Sequence, residues 1–150
     1  MACELIQREF KNSNGDPVLV AVRQLPASKA LELHVELVNV VGNSAFPLIA
    51  NDYDFGNILS LMRAADPKVI SELMKRVVCM AVVEGMEVKP ALFDMKYNNE
   101  LMLVCEVFAF VCEANFHDFF KQGLEMNEQK RLAVEEASKQ AEQKSSSPKI

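Results

Sequence analysis

Residues 101–112 read LMLVCEVFAFVC, eleven apolar side chains broken only by Glu106. Such a run is a membrane span, a metal or redox site, or a helix buried in a folded core. Length excludes the first: a helix needs about 20 consecutive apolar residues to cross a bilayer, and runs of about 10–14 are the length of buried core helices. Here Glu113, Asn115, His117 and Asp118 end the run, and no other stretch is long enough. The opening MACELIQREF lacks the basic start and long apolar middle of an export signal. The expectation is a soluble protein that stays in the compartment where it is made.

Geometry argues against the second explanation. Cys105 and Cys112 are seven residues apart, roughly 10 Å along a helix axis. Disulfide partners need Cα atoms within about 7 Å, and two thiolates on one zinc each sit about 2.3 Å from it. His117 lies about 140° around the helix from Cys112 and points elsewhere. Cys3 and Cys79 fall in other segments, and no C-x-x-C occurs. The four cysteines therefore read as reduced, structural thiols.

What remains is a core helix, over about residues 99–122. Leu101, Cys105, Phe108 and Cys112 form a stripe at i, i+4, i+7, i+11, widened by Leu103, Val107, Phe110, Val111 and Ala114, with Glu106 and Glu113 as a narrow wet edge. A helix apolar over most of its circumference is covered by several neighbours. One of those can be another molecule, so a homo-oligomer is compatible with this reading.

The rest of the chain supplies the neighbours. Two short apolar-rich runs flank NSNGD, whose Asn14-Gly15 marks an N-terminal β-hairpin, with Pro17 at a strand start. Residues 26–42 carry two patterns. Leu31, Leu33, Val35 and Leu37 alternate as in a strand, while Leu33-Leu37-Val41 and Leu31-Val35-Val38 form helical faces. Pro26 and Gly42 at the ends, and a length of about 15 residues, favour helix. NSAFPLIANDYD reads as a loop, in which Asn51, Asp52 and Asp54 form a turn and helix cap rather than a calcium loop, since the EF-hand spacing is missing. FGNILSLMRAADP reads as a short helix. PKVISELMKRVVCMAVV reads as a longer one capped by Asp66, and EGMEVKPALFDMKYNN as another loop. From Gly123 the sequence turns charged and polar. Residues 1–123 are thus expected to form a mainly α (α+β) domain, small and helical with the N-terminal hairpin, and residues 124–150 a polar, partly helical or disordered tail.

Composition narrows function. The net charge of −5, from 16 basic and 21 acidic residues, argues against nucleic acid, whose phosphates demand a basic face. No glycine-rich phosphate loop and no nucleophile in a recognisable setting appears, and His34 and His117 read as surface or helix-edge residues. The chain reads as a non-enzyme that needs no cofactor and no metal. Six of its eight methionines fall between residues 62 and 102. Met62, Met74, Met80 and Met102 are expected to fill core gaps, and Met86 and Met95, beside Phe93, to be exposed contacts, because methionine adapts to promiscuous surfaces.

The hairpin followed by Arg23, Leu25, Pro26 and Ala27, the run RAADPKVISELMKRVV, and Glu113, Asn115 and Phe116 near the end of a long helix resemble the tail assembly chaperones of long-tailed bacteriophages, over about residues 3–120. The resemblance implies a helical chaperone that binds the tape measure protein, a very long helical polypeptide, and keeps it soluble in the host bacterial cytoplasm until tail tube subunits polymerise around it. It also implies a longer form, made by ribosomal frameshifting, whose extension recruits the tail tube protein. Candidate partner-binding residues are Met86, Phe93, Met95, Phe116, Phe119 and Phe120. The same acidic, helical profile also fits a small phage or bacterial regulator that modulates one folded target.

Overall fold

The computed structural model describes residues 4–145, and side chains through residue 141. Cys3 lies outside the described residues. The chain divides into two compact units, Met1–His117 and Asp118–Ile150. The first is mainly helical with a small antiparallel sheet.

Strands β1 (Leu5–Lys11) and β2 (Pro17–Arg23) pair in the register Leu5↔Arg23 to Lys11↔Pro17. The turn works as its residues predict. Gly15 takes φ +84°, and the Asn12 side chain accepts the N–H groups of Asn14 and Asp16 at 3.0 and 2.9 Å. Alternation then sets the faces: Val18, Val20 and Val22 are buried, and Ile6, Arg8 and Phe10 are half-buried beside them.

Helix α1 (Ala27–Val41) follows, and Gly42 at φ +57° ends it. The competing strand pattern loses. Leu33, Leu37 and Val41 go into the core while Leu31 and Val35 face out. The expected loop after α1 is instead a 3₁₀ turn (Gly42–Ala45) and a one-turn helix α2 (Phe46–Ile49), with Pro47 in its first turn and Leu48 and Ile49 fully buried. Helix α3 (Phe55–Arg63) starts at a capping box in which Asp54 and Asn57 exchange hydrogen bonds of 2.9 and 2.8 Å. Helix α4 (Pro67–Val78) starts at Asp66, whose carboxylate accepts from Lys68 N–H, and buries Ile70, Leu73, Met74, Val77 and Val78.

The second expected loop also folds. α4 ends at Val78 rather than running on to Val83. Val82–Val83 form β3, which pairs with β2 through Val83↔Val20, and Met86–Glu87 form β4, completing a sheet in the order β1-β2-β3-β4. A 3₁₀ turn (Pro90–Leu92) leads into α5 (Phe93–Tyr97).

Helix α6 (Leu101–Ser145) carries the apolar run, and its first part is the centre of the core: Val107, Phe108, Phe110, Val111 and Cys112 are almost fully buried. Full burial of one such phenylalanine contributes roughly 1.5–3 kcal/mol. The hairpin's inner face covers α6. The Phe10 ring meets Phe110 edge-on at 5.5 Å, and the Arg8 guanidinium sits 4.7 Å above the same ring while bonding both Glu113 oxygens at 2.7 and 3.1 Å. At the other end, Ser13 donates its hydroxyl and N–H to Glu100, at 2.6 and 2.9 Å. Among the described residues no helix is long and apolar enough to cross a membrane.

A candidate partner-binding surface

Two buried side chains hold residues 84–99 in place. Val88 and Tyr97 are both in the core, and most of what lies between them is exposed. A groove of about 650 Å³ opens where α5 meets the first turn of α6, lined by Phe93, Asp94, Met95, Tyr97, Asn98, Asn99 and Leu101. Asn99 at φ +62° reverses the chain there. Met95 and Leu101 are 69% and 78% exposed, apolar side chains offered to water. Phe93 is half-buried. Its ring centre lies 5.1 Å from that of Tyr97, with the planes tilted by 41°, and the Lys75 ammonium lies 5.4 Å from its ring centre. The Tyr97 hydroxyl is buried with no hydrogen-bond partner among the described residues, and burial pushes its pKa up to about 12.

The structure thus brings Phe93 and Met95 together and adds Leu101, which the sequence pattern places in the core stripe. Met86 is exposed but sits apart, on β4, and does not line the groove. Phe116 requires a correction. It is 2% exposed, packed edge-on against the His34 ring at 5.0 Å, and is a core residue that a partner cannot reach. Of the methionines read as core, only Met74 is buried. Met80 is half-buried, and Met62 and Met102 are exposed, because each sits on the outer side of its helix. Phe119 (60% exposed) and Phe120 (partly exposed) belong to the second unit, where residues 121–141 are exposed throughout and Arg131 pairs with Glu128 and Glu135 along one helix face.

Three of the four thiols lie among the described residues. Cys105 and Cys112 are buried, and burial raises both pKa values, that of Cys112 to about 12; Cys79 is half-buried and also raised by burial. Among the described residues no group of three or more His, Cys, Asp or Glu is placed to hold a metal ion.

The two short motifs that carry the family resemblance meet in space. Leu25 donates its N–H to Asn115 Oδ1 at 2.8 Å, Gln24 Nε2 donates to the Ala114 carbonyl at 2.9 Å, and Asn115 Nδ2 donates back to the Val111 carbonyl at 2.9 Å. With Arg8–Glu113 and His34–Phe116, this clamps the strand-to-helix junction onto α6. Asn115 is thereby built into the domain, since the Leu25 N–H, just past the end of β2, needs an acceptor once the chain leaves the sheet.

A family model described as "Phage tail assembly chaperone protein, TAC" matches residues 15–128, a span that includes both clamped motifs and the α5 groove. No curated protein and no solved structure matches. Well over half of the chain is covered by the match, and the chain belongs to the phage tail assembly chaperone family.

Proposed function

We propose that this tail assembly chaperone holds the tape measure protein in solution in the host bacterial cytoplasm, using the apolar side chains around the α5 groove as adaptable anchors. The observation that carries this reading is the pairing of family membership with Met95 and Leu101, left in water in a groove that Phe93 also lines. A holdase for a long, repetitive helical client needs contacts that tolerate many sequences. Flexible methionine and leucine side chains provide that without directional hydrogen bonds. Met86 and Phe119 extend the same chemistry to other exposed positions, and Phe120 adds a partly exposed ring. Recruitment of tail tube subunits falls, on this reading, to an extended form of the chain.

The test is co-expression with the tape measure protein of the same phage. The wild type should keep it in the supernatant, and the complex should survive high salt, because an apolar contact is not screened. The variant Met86→Gln/Met95→Gln/Leu101→Gln spares the half-buried Phe93, so it should keep its circular dichroism spectrum and leave the client in the pellet. A folded variant that solubilises the client as well as wild type does would remove the groove from the proposal. A wild type that never does so would remove the tape measure reading itself.

A further inference from the structure

Among the described residues β1 is an outermost strand, with β2 on one long side and no strand on the other. Its hydrogen-bond parity can be worked out. Gln24 donates to the Glu4 carbonyl and Asn12 to the Asp16 carbonyl, both at 2.9 Å. Bonding and non-bonding positions alternate along an antiparallel pair, so the even-numbered residues of β1 bond to β2. Leu19 supports this from β2, since it exchanges bonds with Glu84, on the side away from β1. Leu5, Gln7, Glu9 and Lys11 therefore turn their N–H and C=O groups away from β2, and all four residues are exposed. The sheet's other edge, β4, is two residues long. β1 has seven, with no proline and an unbroken register, so neither a bulge nor a missing N–H protects it.

We propose that β1 pairs antiparallel with β1 of a second copy, about a two-fold axis at Arg8, joining two four-stranded sheets into one. What recognises a row of unpaired backbone groups is an extended backbone, and this strand complements itself. The axis sets Leu5 opposite Lys11 and Gln7 opposite Glu9 of the second copy, four pairs that use every outward N–H and C=O of residues 5, 7, 9 and 11. The Gln7 amide meets the Glu9 carboxylate, and Leu5 lies along the Lys11 stem. On the inner face Ile6 meets Phe10 of the second copy, a β-branched–aromatic pair of the favourable kind, and both are half-buried with surface left to cover. The two Arg8 residues at the axis do not meet as free cations, because each guanidinium is held by Glu113 and laid on Phe110. One seven-residue edge covers less than the roughly 800 Å² per partner typical of stable complexes, so the dimer is weak and concentration-dependent. The inference concerns this chain's own hairpin, since β1 precedes the span matched to the family, and it does not depend on the tape measure reading.

Sedimentation velocity on the full chain over a rising concentration series tests it. Wild type should shift from monomer to dimer. Gln7→Pro removes one outward N–H from each copy and leaves the bonds of β1 to β2 in place, so it should weaken association about tenfold or more. A wild type that stays monomeric throughout, or a folded Gln7→Pro variant that dimerises as wild type does, overturns the proposal. If Gln7→Pro does not fold, Gln7→Cys/Glu9→Cys in a Cys3→Ser background decides. Bonded antiparallel pairs have Cα atoms about 5.5 Å apart, within disulfide range. Mild oxidation should therefore give a dimer linked between positions 7 and 9, and absence of that link overturns the proposal.

Discussion

Helix α6 lives in two environments. From Leu103 to Phe116 most of its side chains are buried, whereas from Lys121 to Ala141 none is. The secondary structure is the same and the cause is different. In the first part, tertiary burial holds the helix: β-branched Val104, Val107 and Val111 and the aromatic Phe108 and Phe110 are mediocre helix formers, and packing overrides their propensity. In the second part propensity acts nearly alone, through alanine, glutamate, glutamine, lysine and arginine, with Arg131 bridging Glu128 and Glu135 at i−3 and i+4. Helices without tertiary support are marginal in water, so the second part is the one whose order a partner can change.

The contrast can be broken most forcefully at Phe108. Its ring is fully buried, and Phe108→Ala should cost about 3–5 kcal/mol in denaturant unfolding. A loss under about 1 kcal/mol would mean that packing is not what holds the first part. Asn115, near the boundary, comes next. Asn115→Ala leaves the Leu25 N–H without its acceptor, and an expected loss of about 1–2 kcal/mol should appear with faster amide exchange at Leu25. The smallest effect belongs to the exposed part. Arg131→Ala should lower helicity by circular dichroism at low salt, less so at high salt, and leave the unfolding midpoint of the first unit unchanged. A shifted midpoint would show that the exposed part contributes to core stability.

How much of this the residues announced depends on whether the signal was local. The hairpin, α1 with its Pro26 and Gly42 limits, the Asp54 and Asp66 caps and the buried part of α6 all rest on nearby residues, and all are found. β3 and β4 do not. Val82 and Val83 continue the apolar spacing of α4, and only pairing with Val20 and Ala21, some sixty residues earlier, makes them a strand. Their turn uses Glu84 at φ +51° and Gly85 at φ +76°, where asparagine or aspartate before the glycine would have been the familiar sign. α2 was hidden by Pro47, which breaks a helix in its interior but suits its first turn. At the candidate surface, Met95 is exposed as expected, and Phe93 is half-buried beside it. Leu101 and Phe116 exchanged places with expectation, because periodicity gives a helix face but not what covers it at either end.

The buried thiols also bear on handling. Reaction with maleimides, iodoacetamide or peroxide goes through the thiolate. With its pKa pushed up to about 12 by burial, Cys112 offers very little thiolate near neutral pH, even before access is considered. Alkylation of Cys112 therefore has to wait for opening of the core, and with reagent in excess enough to outrun reclosing its rate counts openings. Pulse-labelling followed by mass spectrometry turns this cysteine into a built-in clock for the breathing of α6, with no probe added to the chain.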